Sequence, residues 1–262
     1  MPVEIRPASA GAAVVRRLRR LTGARHRRES GLLLVEGGTV LREALRAGLR
    51  VDEVIVSREA LETGRLTAIL GDLAAAGVGV VHAAAGSVLA SLSSMRTPHD
   101  LVAAVRAPQA RARDVGRVVA LDGVQDPGNV GAIVRAALAF GLEGVWLGEG
   151  TADAFQPKVL RASAGAVFHL AAVERVALPE ALDRARGSGC RVYGLDARRG
   201  DPPRDRRFPD RLVVVVGSEG RGLSPAVAAV VDEWLRIPLD PRVESLNAAV
   251  AAAVVLYEIA RG

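Results

Sequence analysis

The chain has 262 residues, half of them apolar and about a quarter charged, with a formal net charge of +6. That is enough for one large α/β domain or two unequal ones, and the composition is that of a folded protein rather than a disordered or fibrous chain. The single cysteine, Cys190, excludes an internal disulfide and a thiolate metal cluster; no apolar run spans a bilayer without charge or glycine, and no signal-peptide core is read, so a cytoplasmic, metal-independent protein is expected.

The first 28 residues carry eight arginines against one glutamate. In "VVRRLRRLTGARHRRES", Val14, Val15, Leu18 and Leu21 form one apolar stripe of a helix and the arginines face outward. Arg16, Arg17, Arg19, Arg20, Arg25, Arg27 and Arg28 then present planar, forked donors suited to phosphates. A plainly solvated helix face explains the same pattern, and both readings stand on sequence alone. Short apolar runs at 32–37, 51–57, 78–83 and 96–106 alternate with helical patterns at 38–47 and up to about 76, which predicts an α/β substructure over residues 1–106. The stretch "APQARARDVG" at 107–116 has no apolar periodicity and reads as a linker.

From 117 to 262 the alternation is stronger. Strands are predicted at 117–121, 144–147, 191–195, 212–216 and 234–237, with helices near 130–140, 178–187, 225–231 and 247–260. Strands separated by helices imply a parallel sheet, and such sheets bind ligands at the carboxyl ends of their strands. After the first strand, Asp126-Pro127-Gly128 predicts a turn that sets Asn129 at a helix start, and Arg135 interrupts the apolar helix six residues on. Buried there, Arg135 needs an anionic partner; on an outer face it needs none. The four valines of "LVVVVGSEGRGLSP" predict a central strand opening onto Gly217 and Glu219. In "PRVESLNAAVAAAVVLYE" (241–258), a nearly all-apolar helix follows Glu244, Ser245 and Asn247, where Ser or Asn serves either as a simple N-cap or as part of a site. Neither a G-x-G-x-x-G nor a G-K-[ST] nor a G-x-S-x-G motif occurs, and the four histidines lack metal-ligand spacing. The chemistry falls to Asn, Arg, Glu and Ser.

Three ordered blocks, "DGVQDPGNVGAIVRAA" (122–137), "VVVGSEGRGLS" (214–224) and "RIPLDPRVESLNAAVAAAVVLYE" (236–258), resemble the SpoU/TrmH-type RNA 2′-O-ribose methyltransferases of the SPOUT class. The resemblance extends to "PKVLRASAGAVF" (157–168) and to an N-terminal part that looks like the family's ribosomal-protein-like RNA-binding domain. It implies an α/β fold whose C-terminal parallel-sheet domain carries a deep trefoil knot, an architecture that periodicity does not reveal. It implies S-adenosylmethionine as cofactor, held largely by backbone with Leu195, Gly217, Ile237 and Leu246 as contacts. Asn129, Arg135, Glu219, Ser245 and Asn247 match the family's active-site motifs, and Arg161 matches a block expected to meet RNA phosphate. The family forms homodimers that share groups across the two-fold, and the final helix matches the dimer-forming one. The implied substrate is RNA, most simply large-subunit ribosomal RNA; transfer RNA and a non-catalytic ribosome-assembly role are the alternatives. Two departures are visible: "LDPRVESLNAAV" stands where the family often has a Met-x-Gly turn and "SLNVSV", and Arg221 is added within "GSEGRGLS" as either a surface residue or an RNA contact.

Overall fold

The computed structural model describes residues 3–93, 95–109, 116–204 and 206–261. Its contacts define two compact units, Met1–Pro108 with Phe155–Phe168, and Gln109–Ala154 with His169–Gly262. The first division in the chain falls inside the stretch read as a linker, of which residues 110–115 lie outside the described residues. The segment Phe155–Phe168 departs from the expected division: it was placed in the second domain and belongs with the N-terminal unit.

The N-terminal unit runs β1 (Glu4–Pro7), α1 (Ala13–Arg20), α2 (Ala24–Ser30), β2 (Leu32–Glu36), α3 (Gly38–Arg46), β3 (Val51–Ser57), α4 (Arg58–Glu62), α5 (Thr67–Ala75), β4 (Val80–Ala84), α6 (Gly86–Ala90) and β5 (Leu101–Arg106). The sheet order is β1-β4-β3-β5-β2, with β5 antiparallel to both of its neighbours and the remaining pairs parallel. Strand alternation sends Leu34, Ile55, Val102 and Ala104 to one face, against Val14, Val15, Leu18 and Leu21. Leu33, Val35, Val54 and Val56 are buried on the other face. Leu18 and Leu34 are fully buried, and each such side chain contributes roughly 1.5–3 kcal/mol of burial free energy. The arginine-rich stretch is two helices rather than one, because Gly23 takes an extended backbone between them.

The second unit runs β6 (Arg117–Asp122), α7 (Pro127–Ala139) and β7 (Gly144–Leu147). The chain then leaves it through α8 (Pro157–Ala162), which packs on β2, and a 3-10 turn at Ala166–Phe168. It returns as β8 (Ala172–Arg175), α9 (Leu178–Gly187), β9 (Arg191–Leu195), β10 (Leu212–Gly217), α10 (Pro225–Ala228), β11 (Glu233–Leu235) and α11 (Ala248–Arg261). The six strands lie in the order β11-β9-β10-β6-β7-β8 and every pairing is parallel, as the alternation of strands and helices predicts. β10 is central: Val213 and Val215 pack with Val118, Val192 and Leu182, while Val214 and Val216 are buried on the opposite face. From β6 the chain moves outward to β7 and β8, and β10 later inserts on the other side of β6. That reversal is the switch point at which open α/β sheets form a crevice.

Candidate active site

The crevice is built by three loops. After β6, Asp126 caps α7, its Oδ1 accepting the Asn129 N–H at 3.0 Å, and Pro127 fills the first turn where no backbone donor is needed. A Cβ on Gly128 would lie 2.6 Å from Asp126 Oδ1, so a side chain there would displace the capping carboxylate. After β10, Ser218 and Gly222 exchange backbone hydrogen bonds of 3.1 and 2.9 Å. Gly222 has φ 66°, and a Cβ on Gly217 would collide with the Gly222 backbone. The loop closes on itself and projects Glu219, while the Ser224 N–H donates to Asp122 Oδ2 at 2.6 Å and ties it to β6. Before α11, Asp240 and Arg242 make the turn that departs from the family pattern. The Arg242 guanidinium donates to both Asp240 oxygens at 2.9 and 3.0 Å, and its N–H to Oδ1 at 3.0 Å. The guanidinium first, and the backbone bond second, hold the Asp240 carboxyl below its ordinary value.

These loops bring Asn129, Glu219 and Asn247 into one triangle. Glu219 Oε1 accepts from Asn129 Nδ2 at 2.7 Å, from Asn247 Nδ2 at 2.6 Å and from the Ala248 N–H at 3.4 Å. Asn247 Nδ2 also donates to Asn129 Oδ1 at 3.0 Å. The Asn247 Oδ1 meanwhile accepts the N–H groups of Ala249 and Val250 at 2.9 and 3.3 Å, so this residue is the N-cap of α11. The side chain that caps α11 is therefore the same one that joins the triangle.

Beside the triangle lies a cavity of about 500 Å³ lined by all four expected cofactor contacts, Leu195, Gly217, Ile237 and Leu246. Val216, Leu235 and Leu239 extend its apolar wall, and Ser245 is on its lining with Glu219. Asp196, Arg198 and Glu244 are charged groups of the lining outside the expected site residues, and they are joined by Arg221, which the sequence leaves open as a surface residue or an RNA contact. Their signal in the sequence was position, since each follows the end of a strand or lies within the third block. Among the described residues no cluster of three or more His, Cys, Asp or Glu is arranged to hold a metal ion, and no helix is long and apolar enough to cross a membrane.

Residues 116–257 match the SpoU rRNA Methylase family, and residues 13–103 match an MRM3-like substrate binding domain. The chain belongs to the SpoU rRNA methylase family. It is 34% identical to a 23S rRNA (guanosine(2553)-2′-O)-methyltransferase of Bacillus subtilis, over 92% of this chain and 93% of that one. Among solved structures it is similar to the SpoU methyltransferase AviRb from Streptomyces viridochromogenes in complex with AdoMet, at TM-score 0.81 and 28% identity, covering 95% of this chain and 97% of that one. It is also similar to an AdoMet-bound rRNA methyltransferase from Sinorhizobium meliloti, at TM-score 0.82 and 26% identity, covering 98% of both chains.

The arginines of this SpoU family member divide into those facing out and those turned in. Arg135 lies on the exposed side of α7 and has no hydrogen-bond or ion-pair partner among the described residues, so the outer-face alternative holds within one chain. Arg16, Arg17, Arg19, Arg20, Arg25 and Arg28 are exposed; Arg17 pairs with Glu53, Arg19 donates to Ser91 Oγ at 2.9 Å and Arg25 pairs with Glu29 at 2.6 Å. Arg27 departs from the outward-facing expectation: it is buried, and its Nη1 donates to the carbonyls of Leu21 and Thr22 at 3.1 and 3.0 Å, closing the end of α1. Arg161, expected at RNA phosphate, donates through Nη1 to Glu36 Oε1 at 2.7 Å inside the N-terminal unit.

Proposed function

We propose that this protein transfers a methyl group from S-adenosylmethionine to a ribose 2′-hydroxyl of large-subunit ribosomal RNA in the cytoplasm. The observation that carries the reading is the Asn129–Glu219–Asn247 triangle standing beside an apolar-walled cavity at the sheet's switch point. Leu195, Ile237 and Leu246 would hold the adenosine, the Gly217 backbone allows its close approach, and the carboxylates of Asp196 and Glu244 complement a cationic group. Bound there, the cofactor supplies an electrophilic methyl. A cofactor held by knotted backbone also accounts for the lack of a nucleotide-binding sequence motif.

A sugar hydroxyl is a weak nucleophile at neutral pH, so the site must align it and stabilise the charge that develops on its oxygen. The triangle fixes the orientation of both asparagine amides through one carboxylate oxygen, and Ser245 adds a hydroxyl on the cavity lining. Arg135 acts by stabilising the developing alkoxide through its forked guanidinium donors. It reaches the site of a second copy across a two-fold. The exposed side of α11 carries Val250, Val254 and Tyr257 at i, i+4 and i+7, an apolar face suited to self-association. The N-terminal unit selects the RNA through phosphate contacts from the exposed arginines of α1 and α2. Changing Arg16, Arg17, Arg19 and Arg20 to glutamate is expected to weaken RNA binding and flatten its salt dependence. Equal affinity and equal salt slope in a filter-binding titration would return that helix to a solvated face.

The direct test is incubation with tritiated S-adenosylmethionine and unmodified ribosomal and transfer RNA, followed by mass-spectrometric mapping of the label. Label on one ribose of 23S rRNA supports the proposal. Label confined to transfer RNA would replace the substrate, and cofactor binding without transfer to any RNA would sink the activity.

A further inference from the structure

A second cavity, of about 320 Å³, lies on the other side of the triangle and is lined by Gln125, Asp126 and Asn129 together with the loop Ser218–Arg221. Ser218, Glu219, Gly220 and Arg221 line both cavities, so the two adjoin along this loop. Two reactants in a group transfer must be held with their reacting atoms within about 3–3.5 Å of each other. If the larger cavity holds the cofactor, as proposed above, the adjoining space is the one from which a second reactant meets it.

The polar groups around this space are mostly committed. Asn129 and Glu219 bond to each other and to Asn247, and Asp126 caps α7. Gln125 and Arg221 are different. Both side chains are exposed, and neither has a hydrogen-bond or ion-pair partner among the described residues. Both also stand on loops of defined geometry, Gln125 one residue before the cap of α7 and Arg221 in the turn closed by Ser218 and Gly222. A primary amide offers a donor and an acceptor on one edge, the complement of a base edge, whereas a guanidinium forks onto a phosphate. Single-stranded RNA presents both once a nucleotide is unstacked from its neighbours.

We infer that this cavity is the pocket for the target nucleotide, with Gln125 reading the edge of its base and Arg221 holding its phosphate. The inference rests on the proposed methyl transfer and adds the residues that choose the nucleotide. The test uses the full-length protein and oligoribonucleotides spanning the mapped site, each with a different base at the methylated position. Wild type is expected to prefer one base, and Gln125→Ala to reduce that preference roughly tenfold, the discrimination of about one paired hydrogen-bond contact. Arg221→Ala is expected to raise KM for RNA more than it lowers kcat and to reduce the salt slope by about one ion, with Arg221→Lys recovering the slope. Wild-type base preference in Gln125→Ala together with a wild-type salt slope in Arg221→Ala would overturn the pocket while the methyl transfer stands. A wild-type protein that methylates none of the RNAs would overturn the underlying function, and the pocket with it.

Discussion

Arg135→Ala is expected to abolish methyl transfer, by about 10³-fold or more, while cofactor affinity stays near wild type, because in the proposed mechanism the side chain serves only the charge that develops in the transition state. Glu219→Ala is expected to be comparably inactive for a different reason. Its Oε1 receives two amide donors and the Ala248 N–H, so its loss releases Asn129 and Asn247 together. The two variants separate in a mixing experiment. Arg135 is exposed and has no hydrogen-bond or ion-pair partner among the described residues, and on the proposed reading its guanidinium serves the site of a second copy. Re-annealed mixtures of the two inactive variants should therefore recover activity, up to about a quarter of wild type, since half of the dimers are mixed and each of those has one intact site. Mixtures as inactive as the parents would place Arg135 and Glu219 in the same subunit's site. Calorimetry supplies the control: a loss of cofactor affinity in Arg135→Ala as large as its loss of rate would remove the assigned role.

Arg161→Ala is expected to lower stability by about 3 kcal/mol, the lower end of the cost of breaking a buried ion pair by deleting one partner. Glu36 is 2% exposed and the Arg161 side chain 16% exposed, so water screens the pair only partly. Ser93 Oγ also donates to Glu36 Oε2, but a neutral hydroxyl does not compensate a buried carboxylate. The same segment abuts α3 closely: Ala164 and Gly165 both have positive φ, and a Cβ on Gly165 would lie 2.6 Å from Glu43 Cβ. The loss should appear in the melting of the N-terminal unit, as a shift of about 6–12 °C for a chain of this size. The double variant Glu36→Gln with Arg161→Met removes both charges and should regain most of it. A thermal midpoint within a degree of wild type in Arg161→Ala would make the pair a surface contact in energetic terms and restore Arg161 as a candidate for RNA phosphate.

Much of the architecture was legible because long buried strands advertise themselves. The valines of β10 and the apolar runs of β2 and β3 carry enough hydrophobic pattern to be read locally. β1 and β8 went unseen for the opposite reason: "EIRP" and "AVER" are four-residue edge strands with charged side chains, the form that keeps an edge from pairing with another chain. α8 was hidden by its length of six residues and by the left-handed backbone that follows it. The arginine stretch was read as one helix because its apolar stripe continues to Leu21, whereas the extended backbone of Gly23 divides it.

The site was legible as a set of residues and not as an arrangement. Sequence by itself determined that Asn129, Gly217 and Glu219 follow strand ends and that Asn247 opens an apolar helix, because strand and helix periods are properties of neighbouring residues; that Leu195 and Ile237 share a crevice was implied only by the family resemblance. Tertiary structure alone decided that Asn129 meets Glu219 across 90 residues and Asn247 across 118. It also decided that Arg27 and Arg161 turn inward while Arg135 turns out. A side chain's orientation is set by what packs against its element, and those partners come from distant parts of the chain that no local pattern describes.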